Sequence, residues 1–159
     1  MSVKQILREV TLAIIKPDLA RRLTSEQLNH IRSVVQSKGL AVRATRDIPR
    51  MTRAQTEQFY SAHGGRFFFP RLVQYMSSGP ITCWVLQGPR AITTWRELIG
   101  PTHVLNARNT RPDSLRAQFA FSDTKNSFHG SDSVESALEE IKFFFPDLDT
   151  ANLMSDSQQ

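Results

Sequence analysis

The sequence predicts an α/β or α+β sandwich in which helices cover one sheet. Two observations carry this expectation. Three short apolar runs, residues 10–16, 40–48 and 81–86, have the length and composition of strands. Between and after them lie longer stretches with apolar residues at helical spacing, and glycine or proline marks most of the changes.

Residues 10–16 end in Lys16-Pro17-Asp18, so a buried strand runs into a turn there. Residues 25–38 carry Leu28, Ile31 and Val35 at helical spacing, with Thr24 as the cap and Gly39 as the stop. Residues 40–48 alternate and stop at Pro49, as a second strand would. Thr52 and Gln55 form the pattern of a capping box for a helix through Tyr60. A helix over 70–76 is expected to end at Gly79, and residues 81–86 form the third strand. Cys83 lies inside that strand and reads as a packed thiol. Gly88-Pro89 opens a helix that ends at Gly100. Residues 101–114 lack periodicity and read as an ordered or functional loop. Residues 122–127 are polar. The last helix is expected to start near Asp132, with Asp132 and Glu135 as caps and Val134, Ala137, Leu138, Ile141, Phe144 and Phe145 as its buried stripe. One domain over 10–147 is expected, with a short extension (1–9) before it and a flexible polar tail (148–159) after it.

A chain of 159 residues can bury a proper core without disulfide or metal staples. No apolar run approaches the roughly 20 residues of a membrane helix, so no membrane association is expected. A single cysteine cannot form an internal disulfide, which fits a reducing compartment. Residues 1–10 are basic but lack the apolar core of a secretory signal. A cytoplasmic location is expected, with a mitochondrial one as the alternative. The net charge is +5, and fifteen of the twenty basic residues are arginine. Such a balance favours anionic partners. No aromatic-basic interleaving of an RNA-binding motif occurs, so nucleic acid ranks last among them.

His129 stands just before the last expected helix, followed by Gly130 and Ser131. The free N–H groups and the dipole of a helix start favour an anion. A histidine there can attack phosphorus if one ring nitrogen stays unprotonated. A carboxylate on the other nitrogen would fix the tautomer, and Glu140 on the same helix is the candidate; Ser131 and Asp132 are near enough to matter. By itself, a histidine at a helix start is more often structural. Neither a GxxxxGK[ST] loop nor a kinase glycine loop is present, so phosphates would be held by scattered side chains.

The string His129-Gly130-Ser131-Asp132-Ser133, continued by Val134-Glu135-Ser136-Ala137, resembles the active-site signature of nucleoside diphosphate kinases. Leu12-Ala13-Ile14-Ile15-Lys16-Pro17-Asp18, Arg66-Phe67-Phe68, Ser78-Gly79-Pro80 and Leu98-Ile99-Gly100-Pro101-Thr102 fall in the family's order, and the likeness spans about residues 10–147. Gly64-Gly65-Arg66-Phe67-Phe68-Phe69 and Ser122-Asp123-Thr124-Lys125-Asn126 are similar to the divergent branch typified by nucleoside diphosphate kinase 6.

The resemblance implies a ferredoxin-like antiparallel sheet of about four strands under helices. It implies ping-pong transfer of a γ-phosphate through a phosphohistidine at His129, between nucleoside triphosphates and diphosphates such as ATP and ADP. By matching motif positions, Lys16 would neutralise the transferring phosphate and Tyr60 would bond near it. Phe68, with Leu72, would hold the base; Arg96, Thr102 and Arg116 would grip the phosphates; Asn126 would bind the ribose; Ser131 and Glu140 would orient His129. Magnesium is implied with the nucleotide, held mainly by its phosphates, with no metal ligands from the protein. Residues 101–114 form a longer loop than in the family's main group, whose members use this region in homo-oligomer contacts. A second reading follows: a nucleotide-binding protein of little turnover that acts through a protein partner.

Overall fold

The computed structural model describes residues 8–155. Its centre is a four-stranded antiparallel sheet of β1 (Glu9–Ile15), β2 (Ala41–Ile48), β3 (Ile81–Gly88) and β4 (Phe128–Gly130). The spatial order is β2-β3-β1-β4, the ferredoxin-like arrangement expected. β1 lies between β3 and β4, and all seven of its residues are buried. That explains why residues 12–15 run continuously apolar rather than alternating.

Side chains of successive strand residues point to opposite faces, so the sheet feeds two cores. Leu12, Ile14, Cys83 and Val85 pack on one face with Tyr60, Met76, Ile141 and Phe144. Those four come from α3 (Arg53–Phe59) and its cap, α4 (Phe69–Met76) and α8 (Val134–Phe144). Ala13, Ile15, Trp84 and Leu86 pack on the other face with Ile31, Val35, Trp95 and Ile99. These come from α2 (Ser25–Ser37) and α5 (Ala91–Ile99). Burying each large apolar side chain stabilises the fold by about 1.5–3 kcal/mol. Trp84, Trp95 and Phe128 are the largest fully buried ones. A short helix, α1 (Pro17–Ala20), follows β1 directly.

The capping boxes at Thr24/Gln27 and Thr52/Gln55 are both formed. Gly39 and Gly100 take positive φ (81° and 82°) after α2 and α5, the left-handed stop that glycine accepts without strain. Other expectations are corrected. α4 ends at Met76, where Ser77 Oγ turns back onto the Val73 carbonyl, so Gly79 is not its stop. Residues 101–114 are not a bare loop: they contain α6 (Val104–Thr110), and α7 (Leu115–Phe119) follows. α6 buries only Val104 and Ala107, too few positions to leave an apolar stripe in the sequence. His129 is not in a pre-helical loop but in β4, and α8 is capped by Ser133, whose Oγ accepts from Ser136 N at 3.1 Å. Asp132 and Glu135 are therefore not the caps.

Residues 149–155, expected in the flexible tail, include α9 (Thr150–Met154). Asp149 caps it, Leu153 joins the first core, and the Gln87 amide donates to the Leu153 carbonyl. Glu9, expected in the N-terminal extension, belongs to β1 and accepts from Ile92 N at 2.9 Å. Residues 1–7 of that extension and 156–159 of the tail lie outside the described residues. Among the described residues no helix is long and apolar enough to cross a membrane.

Candidate active site

β4 pairs with β1 in antiparallel register, which sets His129 opposite Ile14. The indole N–H of Trp95 donates to the His129 carbonyl at 2.8 Å. A Cβ at Gly130 would lie 2.7 Å from Trp95 Cδ1, so glycine is what lets the strand approach that indole. Just before β4, Ser127 sits at φ 71°, costly for a residue with a side chain. Two bonds hold it there: its carbonyl accepts from Lys16 N at 2.8 Å, and its hydroxyl donates to Asp18 Oδ2 at 2.6 Å.

His129 Nε2 lies 2.8 Å from Glu140 Oε1. A carboxylate accepts, so in the neutral imidazole Nε2 carries the hydrogen and the lone pair lies on Nδ1. Ser131 Oγ donates to the same carboxylate oxygen at 2.8 Å and accepts from Leu12 N at 3.1 Å. The central strand thus fixes the serine, the serine fixes the carboxylate, and the carboxylate fixes the imidazole. The Phe59 ring meets the His129 ring edge-on, centroids 5.6 Å apart. Next to Phe59, Tyr60 is buried and its hydroxyl has no hydrogen-bond partner among the described residues. Burial and the Glu140 charge raise its pKa, so it remains a donor.

Positive groups gather beside this histidine. Lys16 is buried, and its ammonium donates to Asn126 Oδ1 at 2.8 Å. Burial, with help from Arg116, pushes the Lys16 ammonium down to about 7. Arg116 is buried too. Its two terminal nitrogens donate to the Gly100 carbonyl (2.6 Å) and the Phe128 carbonyl (2.8 Å), while its Nε has no partner among the described residues. Burial and the nearby Arg96 push it down to about 10, still charged at neutral pH. Arg96 is exposed, and its Cγ lies 3.4 Å from where a Gly130 Cβ would stand.

The structure therefore brings His129, Glu140 and Ser131 together, and joins Lys16 to Asn126. Tyr60, Arg96 and Arg116 border the same region. Arg116 is also a clamp between the end of α5 and β4, a role absent from the sequence reading. Phe68, at the start of α4, is half-buried with its ring 5.5 Å from that of His63, and Leu72 packs on the first core. Thr102 is exposed in the turn before α6. Among the described residues none of these three makes a hydrogen bond or ring contact with His129.

The sequence reading missed Asp18. Its carboxylate takes the hydroxyls of Ser127 and Tyr75, and burial pushes it up from the usual carboxylate range. It stands two places after Lys16 in a string read only as a turn; its ties to residues 75 and 127 leave no local signal. Trp95 and Phe59, which frame His129, were likewise read only as helix residues. Among the described residues no group of three or more His, Cys, Asp or Glu side chains converges as a metal cage. Lys16, Arg96 and Arg116 near His129 form a donor set that fits an anion and would leave a divalent metal to be carried by that anion.

A family model described as nucleoside diphosphate kinase matches residues 9–150. Nucleoside diphosphate kinase 6 of Danio rerio is 44% identical over 92% of this chain and 81% of its own length. The human protein of the same name is 46% identical over 87% of this chain and 73% of its own length. The crystal structure of the Aquifex aeolicus nucleoside diphosphate kinase is 42% identical and superposes with a TM-score of 0.80, covering 86% of this chain and 94% of that one. With these matches, this fold and a histidine braced by a carboxylate, the chain belongs to the nucleoside diphosphate kinase family.

Proposed function

We propose that this protein transfers the γ-phosphate of a nucleoside triphosphate to a nucleoside diphosphate through a phosphohistidine at His129. The observation that carries the reading is the Glu140 contact on Nε2, which leaves Nδ1 as the nucleophile. Nδ1 attacks the γ-phosphorus, and the bond from that phosphorus to the bridging oxygen breaks, releasing the diphosphate. A terminal oxygen of a second diphosphate then attacks the phosphohistidine and returns Nδ1 to its starting state. Glu140 stabilises the imidazolium character that develops as the N–P bond forms, and Ser131 holds Glu140 in place.

Lys16, Arg96 and Arg116 supply positive charge for the phosphates, with Thr102 as a further donor. The unpartnered Tyr60 hydroxyl and Arg116 Nε are buried donors that a phosphate oxygen or water would satisfy. Asn126 takes the ribose, and Phe68 with Leu72 borders the base; stacking tolerates any base. Magnesium would be carried on the nucleotide phosphates, beside Lys16, Arg96 and Arg116, and would supply charge neutralisation there.

The test is incubation with γ-labelled ATP and magnesium. The expected product is an acid-labile, base-stable phosphoprotein that discharges on adding a diphosphate and is absent in His129→Ala. Folded wild-type protein that takes up no label at high concentration would sink the proposal. Segment 101–114, which the family resemblance reads as lengthened, motivates a second reading, nucleotide binding with little turnover and action through a protein partner. That reading predicts ADP binding with weak transfer, and partner capture that survives His129→Ala.

A further inference from the structure

We infer that Asp123 is a positioning residue, a strap that sets Asn126 and Lys16 against the start of α6; the inference rests on the proposed nucleotide site. Asp123 Oδ1 accepts from Val104 N at 3.0 Å, and Oδ2 accepts from His103 Nδ1 at 3.0 Å. Its backbone carbonyl accepts from Asn126 Nδ2 at 3.1 Å. Asn126 in turn presents Oδ1 to Lys16 Nζ at 2.8 Å. One continuous chain of bonds therefore runs from α6 through Asp123 and Asn126 to the lysine beside β1.

The turn that carries Asp123 is closed on itself. Phe121 N and Ser122 N both donate to the Lys125 carbonyl, at 3.0 and 3.3 Å, and Lys125 N donates to Ser122 Oγ at 3.0 Å. Asp123 cannot shift without carrying Asn126 with it. The other end of the segment is fixed separately, because Arg116 holds the Gly100 carbonyl at 2.6 Å. Thr102 lies between these two anchors. Segment 101–114 is thus tied down on both sides of its one proposed phosphate donor.

The His103 and Val104 N–H groups hold the Asp123 carboxyl below the usual carboxylate range, so it is ionised at neutral pH. The His103 and Asp123 side chains are 76% and 62% exposed. Contacts this exposed contribute little to stability. Their effect is on where Asn126 and Thr102 stand, and a displacement near 1 Å in a positioning group can cost up to about 100-fold.

The experiment compares Asp123→Ala, Asp123→Asn and His103→Ala with wild type, in steady-state transfer and in direct magnesium–ADP binding. Asp123→Ala is expected to raise KM for both nucleotides, and the ADP Kd, by about tenfold, with kcat within about threefold and melting temperature nearly unchanged. Asp123→Asn keeps an oxygen for Val104 N and is expected to restore most of the loss; His103→Ala is expected to fall between. In an Asn126→Ala background, Asp123→Ala should add almost nothing, because both act through one group. Unchanged KM and Kd in Asp123→Ala, an Asn variant as impaired as the Ala variant, or full additivity with Asn126→Ala would each overturn the inference. If wild type binds ADP but does not label His129, the proposed transfer fails, and the ADP Kd series still decides on the strap.

Discussion

Lys16 shows how burial and chemistry oppose each other in a single side chain. Its ammonium is buried and pushed down to about 7, below its ordinary 10.5. Between those values the folded protein binds fewer protons than the unfolded chain, so this group's contribution to stability rises with pH from 7 towards 10.5. A bound polyphosphate reverses the pull, because its negative charge favours the ammonium form. Binding of magnesium–ADP at pH 8 is therefore expected to take up a proton, on the order of half to one per site. Titration calorimetry in two buffers of different ionisation enthalpy reads this directly. The uptake should vanish in Lys16→Met; identical heats in both buffers for wild type would contradict it. The residues that make up this site were legible to different degrees. His129, Ser131 and Glu140 lie within eleven positions of one another, and their bonds could be anticipated from a histidine set just ahead of the helix that carries Glu140. Asp18 bonding to Ser127, 109 positions away, could not, and neither could the left-handed backbone of Ser127.

Among the elements, β4 carries the most consequence for its size. Three residues cannot show alternation, so nothing in the sequence marked them as a strand; their register opposite Ile14 and the Trp95 indole define them. Gly130→Ala tests that definition. The added methyl meets Trp95 within 2.7 Å and must displace either the indole or the strand. Overpacking of this kind costs about 1–3 kcal/mol. Because the same indole holds the His129 carbonyl, His129 labelling should slow by about tenfold or more. Denaturant unfolding and a labelling time course measure the two effects; a variant with wild-type values in both would show that Trp95 does not set the strand. α2 was legible through its cap and apolar spacing, α8 through its apolar spacing alone, and α5 through the Gly88-Pro89 and Gly100 that bracket it. α6, α7 and α9 were not, since each is short and buries only one or two residues. α9 shows the point well: Leu153 is its only buried residue, inside a stretch that otherwise looks like a polar tail.

Considered whole, the molecule is a sheet with a core on each side and a basic balance of +5. The candidate site draws on β1, β4, α3, α5, α7 and α8, so a ligand seated there engages both cores. A ligand that binds only the folded state at about 100 times its Kd stabilises that state by about 2.7 kcal/mol. For a domain near this size that corresponds to a rise in melting temperature of roughly 5–11 °C. Magnesium–ADP is expected to produce such a rise in wild type and also in His129→Ala, which loses the nucleophile but none of the phosphate-holding cations. Thermal melts at matched saturation check it. Loss of the shift in His129→Ala would mean that the imidazole is part of the binding site rather than the reacting group alone.

The single cysteine opens a practical route into the segment over α6. Cys83 is buried in β3, and burial pushes its thiol up to about 12. A thiol so rarely ionised reacts slowly with alkylating reagents. A cysteine introduced at exposed Leu105 would thus take a fluorophore with little background at position 83. The fluorescence of that label would report whether the surroundings of α6 change as nucleotide enters and leaves.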